Sequence, residues 1–135
     1  MTVPPSPGRV LLLVEDHEPL RVALHDWLSF QLKGWMIYAC GTAETALTMI
    51  HTHPPDVVLM DIALPKMDGV TAVSRITREY PKVQCVIMTL HDSPEYRAAA
   101  HSAGAVGFVN KLYVQKDLLP LLELFREQTA APRIV

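Results

Sequence analysis

Five short apolar runs, at residues 9–14, 35–40, 56–60, 83–89 and 106–110, alternate along this chain with stretches whose apolar residues recur at helical spacing. That alternation is the strongest constraint on the fold. The runs are too short for buried helices and are rich in Val, Ile and Leu, the pattern of strands covered on both faces. Between them, Leu20, Ala23, Leu24, Trp27 and Leu28 make one helical stripe, and Ala43, Ala46, Leu47 and Ile50 a second. Val70, Val73, Ile76 and Tyr80 make a third, residues 98–103 a fourth, and residues 117–128 a last helix. Strand–helix alternation of this kind requires a parallel sheet with right-handed crossovers, hence an α/β protein doubly wound with five helices on a five-stranded parallel sheet.

The punctuation agrees. Thr42 is placed to cap the second helix, and Pro54-Pro55 ends it. Asp92-Ser93-Pro94-Glu95 reads as a helix start, with a capping side chain, proline in the first turn and an acid against the dipole. Gly104 is a C-terminal stop. Residues 1–8 are Pro-rich and read as a disordered leader, 9–128 as one domain, and 129–135 as a flexible tail or the start of a linker.

Bulk properties exclude several function classes. The 135 residues suit one domain, and 50% are hydrophobic, enough for a core. A net charge of −2 provides no basic footprint for nucleic acid. No apolar run nears the roughly 20 residues that span a bilayer, and the N-terminus lacks the features of a signal peptide. The two cysteines, Cys40 and Cys85, sit in apolar segments and suit reduced core thiols of a cytoplasmic protein.

The chemistry lies where the strands end. Glu15 and Asp16 follow the first strand, Asp61 ends the third, Thr89 ends the fourth and Lys111 follows the fifth. In a parallel sheet these ends form one edge, where doubly wound proteins bind ligands. Asp61, closing the apolar run Val57-Val58-Leu59-Met60, therefore faces a polar pocket and not the core, where an ionised acid would be costly. Three carboxylates about 4–5 Å apart would repel by roughly 3–4 kcal/mol per pair at an effective dielectric near 20. Lys111 relieves one charge, and a hard divalent ion relieves two more. Mg²⁺ suits oxygen ligands, retained waters and a phosphate oxygen. Carboxylate, Mg²⁺, ammonium and hydroxyl together make a phosphoryl-transfer site, with Asp61 as nucleophile and Thr89 and Lys111 on the phosphoryl oxygens.

These residues resemble the receiver domain of two-component response regulators. The resemblance rests on Glu15-Asp16, on Asp61 followed by Leu64-Pro65, Met67 and Asp68-Gly69, on Thr89, and on Gly104-Ala105 with Phe108 and Lys111. It implies a flavodoxin-like sheet of order 2-1-3-4-5. It implies that Asp61 accepts a phosphoryl group from a sensor histidine kinase. Asp16, Asp61 and the Ala63 carbonyl would bind Mg²⁺, with Glu15 acting mainly through water. Thr89 and Phe108 would be the switch pair that remodels a partner surface around the fourth and fifth helices.

Two departures stand out. The first acid is Glu rather than Asp. Leu112 follows Lys111 where many receivers have proline, so a trans peptide or a rearranged loop is expected. This, with Glu95-Tyr96-Arg97 leading into Gly104-Ala105, resembles the NarL/FixJ type, whose receivers usually precede a helix-turn-helix domain. The chain is then a stand-alone receiver or a truncated one. Two other classes compete. A haloacid-dehalogenase-like phosphohydrolase wants a second Asp two residues after the nucleophile, where Ala63 stands. A phosphorylation-independent pseudo-receiver would not need the intact acids, Thr89 and Lys111.

Other residues have plainer readings. Phe108 also reads as core. His51 and His53, His17 and His91 read as surface histidines, and Asp68 and Gly69 as shaping the third helix. In the last helix, Leu118, Leu121, Leu122 and Phe125 form a core stripe, and Leu119 and Leu124 widen it enough to suggest a homodimer or downstream partner. Pro120 would break a helix begun near Val114, at about 3 kcal/mol or more. The helix is therefore expected to start with Asp117 as N-cap, after an extended or irregular connection over 112–116, leaving Leu119 facing outward.

Overall fold

A computed structural model describes residues 9–130, with side chains to residue 124. The leader at 1–8, the last five residues of the tail and the Phe125 side chain lie outside the described residues. Five strands, β1 (Val10–Val14), β2 (Met36–Cys40), β3 (Val57–Asp61), β4 (Gln84–Thr89) and β5 (Gly107–Asn110), form one parallel sheet in the order β2-β1-β3-β4-β5. The helices are α1 (Glu18–Gln31), α2 (Ala43–Thr52), α3 (Gly69–Glu79), α4 (Pro94–Ala103) and α5 (Val114–Ala130).

Strand alternation divides the core in two. Leu12, Val14, Val58, Met60, Cys85 and Ile87 pack under α2, α3 and α4, through Ile50, Val73, Ile76 and Ala100. Leu11, Leu13, Val57, Leu59, Val86 and Met88 pack under α1 and α5, through Leu24, Leu28, Leu118 and Leu122. The inner strands β1, β3 and β4 are thus buried on both faces, which is why their sequences are apolar runs, whereas Met36 and Tyr38 of the edge strand β2 are exposed.

Local chemistry starts and stops the helices much as the sequence suggests. Thr42, Asp68 and Ser93 are N-caps whose side chains accept from Thr45, Thr71 and Tyr96 N–H. Gly104 ends α4 in the left-handed region at φ 101°. The cap of α1 is less expected: His17 Nδ1 accepts the Leu20 N–H at 3.3 Å.

The last helix corrects the sequence reading. A 3₁₀ turn at Lys111–Tyr113 leads directly into α5, which runs unbroken from Val114 through Pro120. Asp117 is not its N-cap, and 112–116 is not an extended connection. The physical reason is burial. Val114, Leu118 and Leu122 recur every fourth residue on the α1/α5 core and are all buried. Burying Val114 offsets part of the proline penalty at about 1.5–3 kcal/mol. Pro120 and Lys116 are exposed, so the Lys116 carbonyl that loses its helical donor faces water. Leu119 is half-buried against the core and does not face outward, whereas Leu124 is exposed. Asn110 Oδ1 accepts the Leu112 N–H at 2.8 Å, and no cis peptide occurs among the described residues, as expected after Lys111.

Candidate functional site

Register carries the acids to one edge. Val14 pairs with Met60 and with Cys40, so β1 and β3 end level, and Glu15 and Asp61 emerge side by side. Met88 pairs with Asp61, and Asn110 with Thr89, which brings Thr89 and then Lys111 to the same edge. Glu15, Asp61 and Thr89 are the buried polar residues of the described chain, at 0%, 2% and 1% exposure. Asp16 is exposed at the mouth.

The Lys111 ammonium joins the two buried acids. Its Nζ lies 2.7 Å from Glu15 Oε1 and 3.0 Å from Asp61 Oδ2. Asp61 Oδ1 accepts the Ala63 N–H at 3.1 Å, and Glu15 Oε2 accepts the His17 N–H at 3.0 Å. Glu15 Oε1 is thus held by the Lys111 ammonium. Burial pushes the Asp61 carboxyl up to about 6, with the Glu15 charge in the same direction, against the Ala63 N–H and Lys111. For Lys111, burial opposes the charged form, but Glu15 and Asp61 outweigh it and raise the ammonium above its ordinary value.

The donor set fits a hard divalent ion. Glu15, Asp16 and Asp61 each offer an oxygen, all within 4.8 Å of one another. Lys111 neutralises one of the three charges and leaves an excess of negative charge for a cation. Asp16, exposed and without a protein partner among the described residues, is the acid most available as a direct ligand.

Gly69 lets this edge close. A Cβ there would collide with the carbonyl oxygen of Asp61, and the Gly69 N–H donates to Ile62 O at 3.0 Å. Asp68 caps α3 and makes no contact with the acids that any hydrogen bond or ion pair records.

Thr89 and Phe108 belong to the other sheet face. Strand alternation from Cys85 and Ile87 directs Thr89 toward α4, and Phe108 packs on the same core. Thr89 Oγ1 accepts the His91 N–H at 3.0 Å. Over Phe108 lies an arrangement the sequence did not announce. The Arg97 guanidinium sits 4.6 Å from the ring centroid and is held by Asp92 through Nε–Oδ1 and Nη2–Oδ2 bonds of 2.6 and 2.9 Å. An acid and an arginine five apart across a helix start match no helical pairing rule, so spacing carried no signal.

His17 and His91 meet the site through backbone N–H groups, while the His17 ring caps α1 and the His91 ring lies against Tyr96. His51 Nδ1 lies 3.0 Å from the Tyr80 hydroxyl, and the acidic trio is the metal-competent cluster among the described residues. No helix among the described residues is long and apolar enough to cross a membrane.

Comparison with known proteins agrees with this edge. The response regulator receiver domain family model matches residues 11–123. The response regulator protein VraR of Staphylococcus aureus is 30% identical over 110 residues, covering 80% of this chain and 52% of VraR. The transcriptional regulatory protein DegU of Brevibacillus brevis is 28% identical over 101 residues, 75% of this chain and 43% of DegU. The chain thus spans about half the length of these relatives. Among solved structures, a CheY-like response regulator receiver domain protein from Methanospirillum hungatei aligns at TM-score 0.83 and 25% identity, covering 93% of this chain and 99% of that one. A sheet of order 2-1-3-4-5, acids gathered at its carboxyl edge and a family match across nearly all of the described fold lead to one assignment: the chain belongs to the response regulator receiver domain family.

Proposed function

We propose that Asp61 is the phosphoacceptor of this receiver domain and that the domain catalyses its own phosphorylation from a sensor histidine kinase. The observation that carries this is the buried Asp61 carboxylate 3.0 Å from Lys111 within the three-acid cluster. An Asp61 oxygen forms the new bond to phosphorus while the bond from phosphorus to the donor's histidine nitrogen breaks. That nitrogen leaves with the electron pair and takes a proton. Lys111, already aimed at Asp61, neutralises charge on the phosphoryl oxygens, and the Thr89 hydroxyl, exchanging the His91 N–H for a new partner, donates to one of them. Asp16, Asp61 and the Ala63 carbonyl would hold Mg²⁺, with Glu15 acting through water. The ion, when bound, supplies charge neutralisation that three acids and one lysine do not.

Thr89 and Phe108 form the switch. Movement of Thr89 toward the phosphoryl group vacates space on its own sheet face, where Phe108 packs, and the surface of α4, β5 and α5 changes with it. Exposed Tyr96, Leu112, Tyr113 and Leu124 are available there to a second copy or a downstream partner. The relatives' names point to transcriptional output, which the rest of a longer protein would provide. The free, buried Cys40 and Cys85 fit a cytoplasmic setting.

Acetyl phosphate or phosphoramidate with Mg²⁺ is expected to add one phosphoryl group by intact mass, a labelling that fails when Mg²⁺ is chelated beforehand and is absent in Asp61→Asn. Equal labelling of Asp61→Asn would overturn the assignment.

A further inference from the structure

The three acids are not held alike. Asp61 closes a buried strand, and both its oxygens are engaged. Glu15 is buried, with its side chain on Lys111 and the His17 N–H. Asp16 is exposed, and among the described residues its carboxylate has no hydrogen-bond or ion-pair partner. The position of Asp16 is therefore set by its backbone, and above all by the peptide that joins it to Glu15.

That peptide is clamped at its carbonyl, and the peptide before it at its amide. The Glu15 N–H donates to Cys40 O at 3.0 Å, which fixes the strand end against β2. The Glu15 carbonyl, part of the peptide bond to Asp16, accepts from Arg21 Nη1 at 2.8 Å. Arg21 reaches it from the first turns of α1, with its side chain 22% exposed and Glu18 Oε2 3.7 Å from Nη2. The turn after β2 is shaped for the guanidinium: a Cβ on Gly41 would stand 3.0 Å from Arg21 Nη1, so the missing side chain is where the clamp lies.

We infer that Arg21 is a positioning residue for the divalent-cation site, acting through the Glu15 carbonyl and seated by Gly41; this rests on the reading of the acidic cluster as a Mg²⁺ site. Without the clamp the Glu15–Asp16 peptide turns more freely, and Asp16 leaves the arrangement that puts three oxygens within 4.8 Å. Groups that orient ligands without touching the ion typically change metal affinity by about 10–100-fold when removed.

The sign of the effect separates this role from simple charge. Arg21 is a cation beside a cation site, so electrostatics alone makes its removal tighten Mg²⁺ binding. Positioning makes its removal weaken it. Calorimetric titration of the full chain with Mg²⁺ decides. Arg21→Ala is expected to weaken binding by about tenfold. Arg21→Lys, which keeps charge and a donor, is expected to recover part of that loss. Gly41→Ala, which displaces the guanidinium while leaving every charge in place, is expected to weaken binding by a smaller factor. In acetyl phosphate labelling, the half-saturating Mg²⁺ concentration of Arg21→Ala is expected to rise by a larger factor than the rate at saturating Mg²⁺ falls. Equal or tighter binding in folded Arg21→Ala overturns the inference. If that variant does not fold, wild-type affinity in both Gly41→Ala and Arg21→Lys overturns it. A wild-type chain with no saturable Mg²⁺ binding overturns the reading of the site itself, and this inference with it.

Discussion

As the proposed phosphoacceptor, Asp61 serves two opposed requirements. A nucleophilic carboxylate must be ionised, yet this one is buried next to a second buried acid. Burial and Glu15 push it from an ordinary 3.8 up to about 6, which still leaves it roughly ten to one ionised at pH 7. The consequence for stability has a definite sign. A carboxyl whose folded-state value is raised favours the fold below its unfolded value, and that contribution is lost as pH rises from near 4 through about 6. Without divalent ions, Asp61→Asn is therefore expected to melt at a higher temperature than wild type at pH 7.5, with a gain of at most about 2–3 kcal/mol. The difference should shrink below pH 6 and vanish near pH 4. Mg²⁺ should raise the melting temperature of wild type more than that of the variant. Thermal melts across pH check this, and a variant less stable than wild type at pH 7.5 would show that the Lys111 contact outweighs burial.

The α5 helix shows where local rules yield to packing. Pro120 argued for a late start at Asp117, and the spacing of Val114, Leu118 and Leu122 argued for an early one; burial prevailed. Pro120→Ala is expected to stabilise the domain by about 1–3 kcal/mol, because it restores an amide donor to the Lys116 carbonyl at an exposed position. Asp117→Ala is expected to cost less than about 0.5 kcal/mol, since a first-turn acid interacts only weakly with the dipole, whereas loss of an N-cap costs about 1 kcal/mol. Denaturant melts of both variants distinguish the two helix starts. The remaining elements were legible because each has one dominant signal: apolar runs buried on both faces, Thr42 and Ser93 as caps, Gly104 as a stop. Glu15, Asp61, Thr89 and Lys111 were legible because a parallel sheet puts every strand end on one edge, whatever the side-chain packing. The clamps around them were not. Arg21 on the Glu15 carbonyl and Arg97 on Phe108 join elements through geometry that no periodicity encodes.

Viewed through the sheet, the site has two halves. Asp61 shares strand parity with the residues under α1 and α5, while Thr89 and Phe108 share parity with those under α4. In the proposed mechanism a signal that begins at Asp61 has to cross the sheet edge, and Thr89 is the buried polar group placed there. Its hydroxyl holds the His91 N–H, the next residue is Asp92, and Asp92 holds the Arg97 that lies on Phe108. When Thr89 turns to a phosphoryl oxygen, it releases the His91 N–H, and the loop carrying Asp92 is freed from its anchor. The Arg97 pair then loses its fixed seat on the ring. Hydrogen exchange read by mass spectrometry, before and after phosphoramidate treatment, should register this as altered protection in peptides covering 89–97 and 106–110. Peptides covering α2 should change far less, because α2 packs chiefly on β1 and α3. Arg97→Ala should raise exchange in the same two segments before phosphorylation and so reduce the difference that phosphorylation makes. Aspartate 92 replaced by asparagine, Asp92→Asn, should act in the same direction more weakly, since it keeps one acceptor for the guanidinium. If phosphorylation altered α2 while leaving 89–97 and 106–110 unchanged, the Thr89–Phe108 route would be wrong, and the signal would leave Asp61 toward β1 and α2 instead.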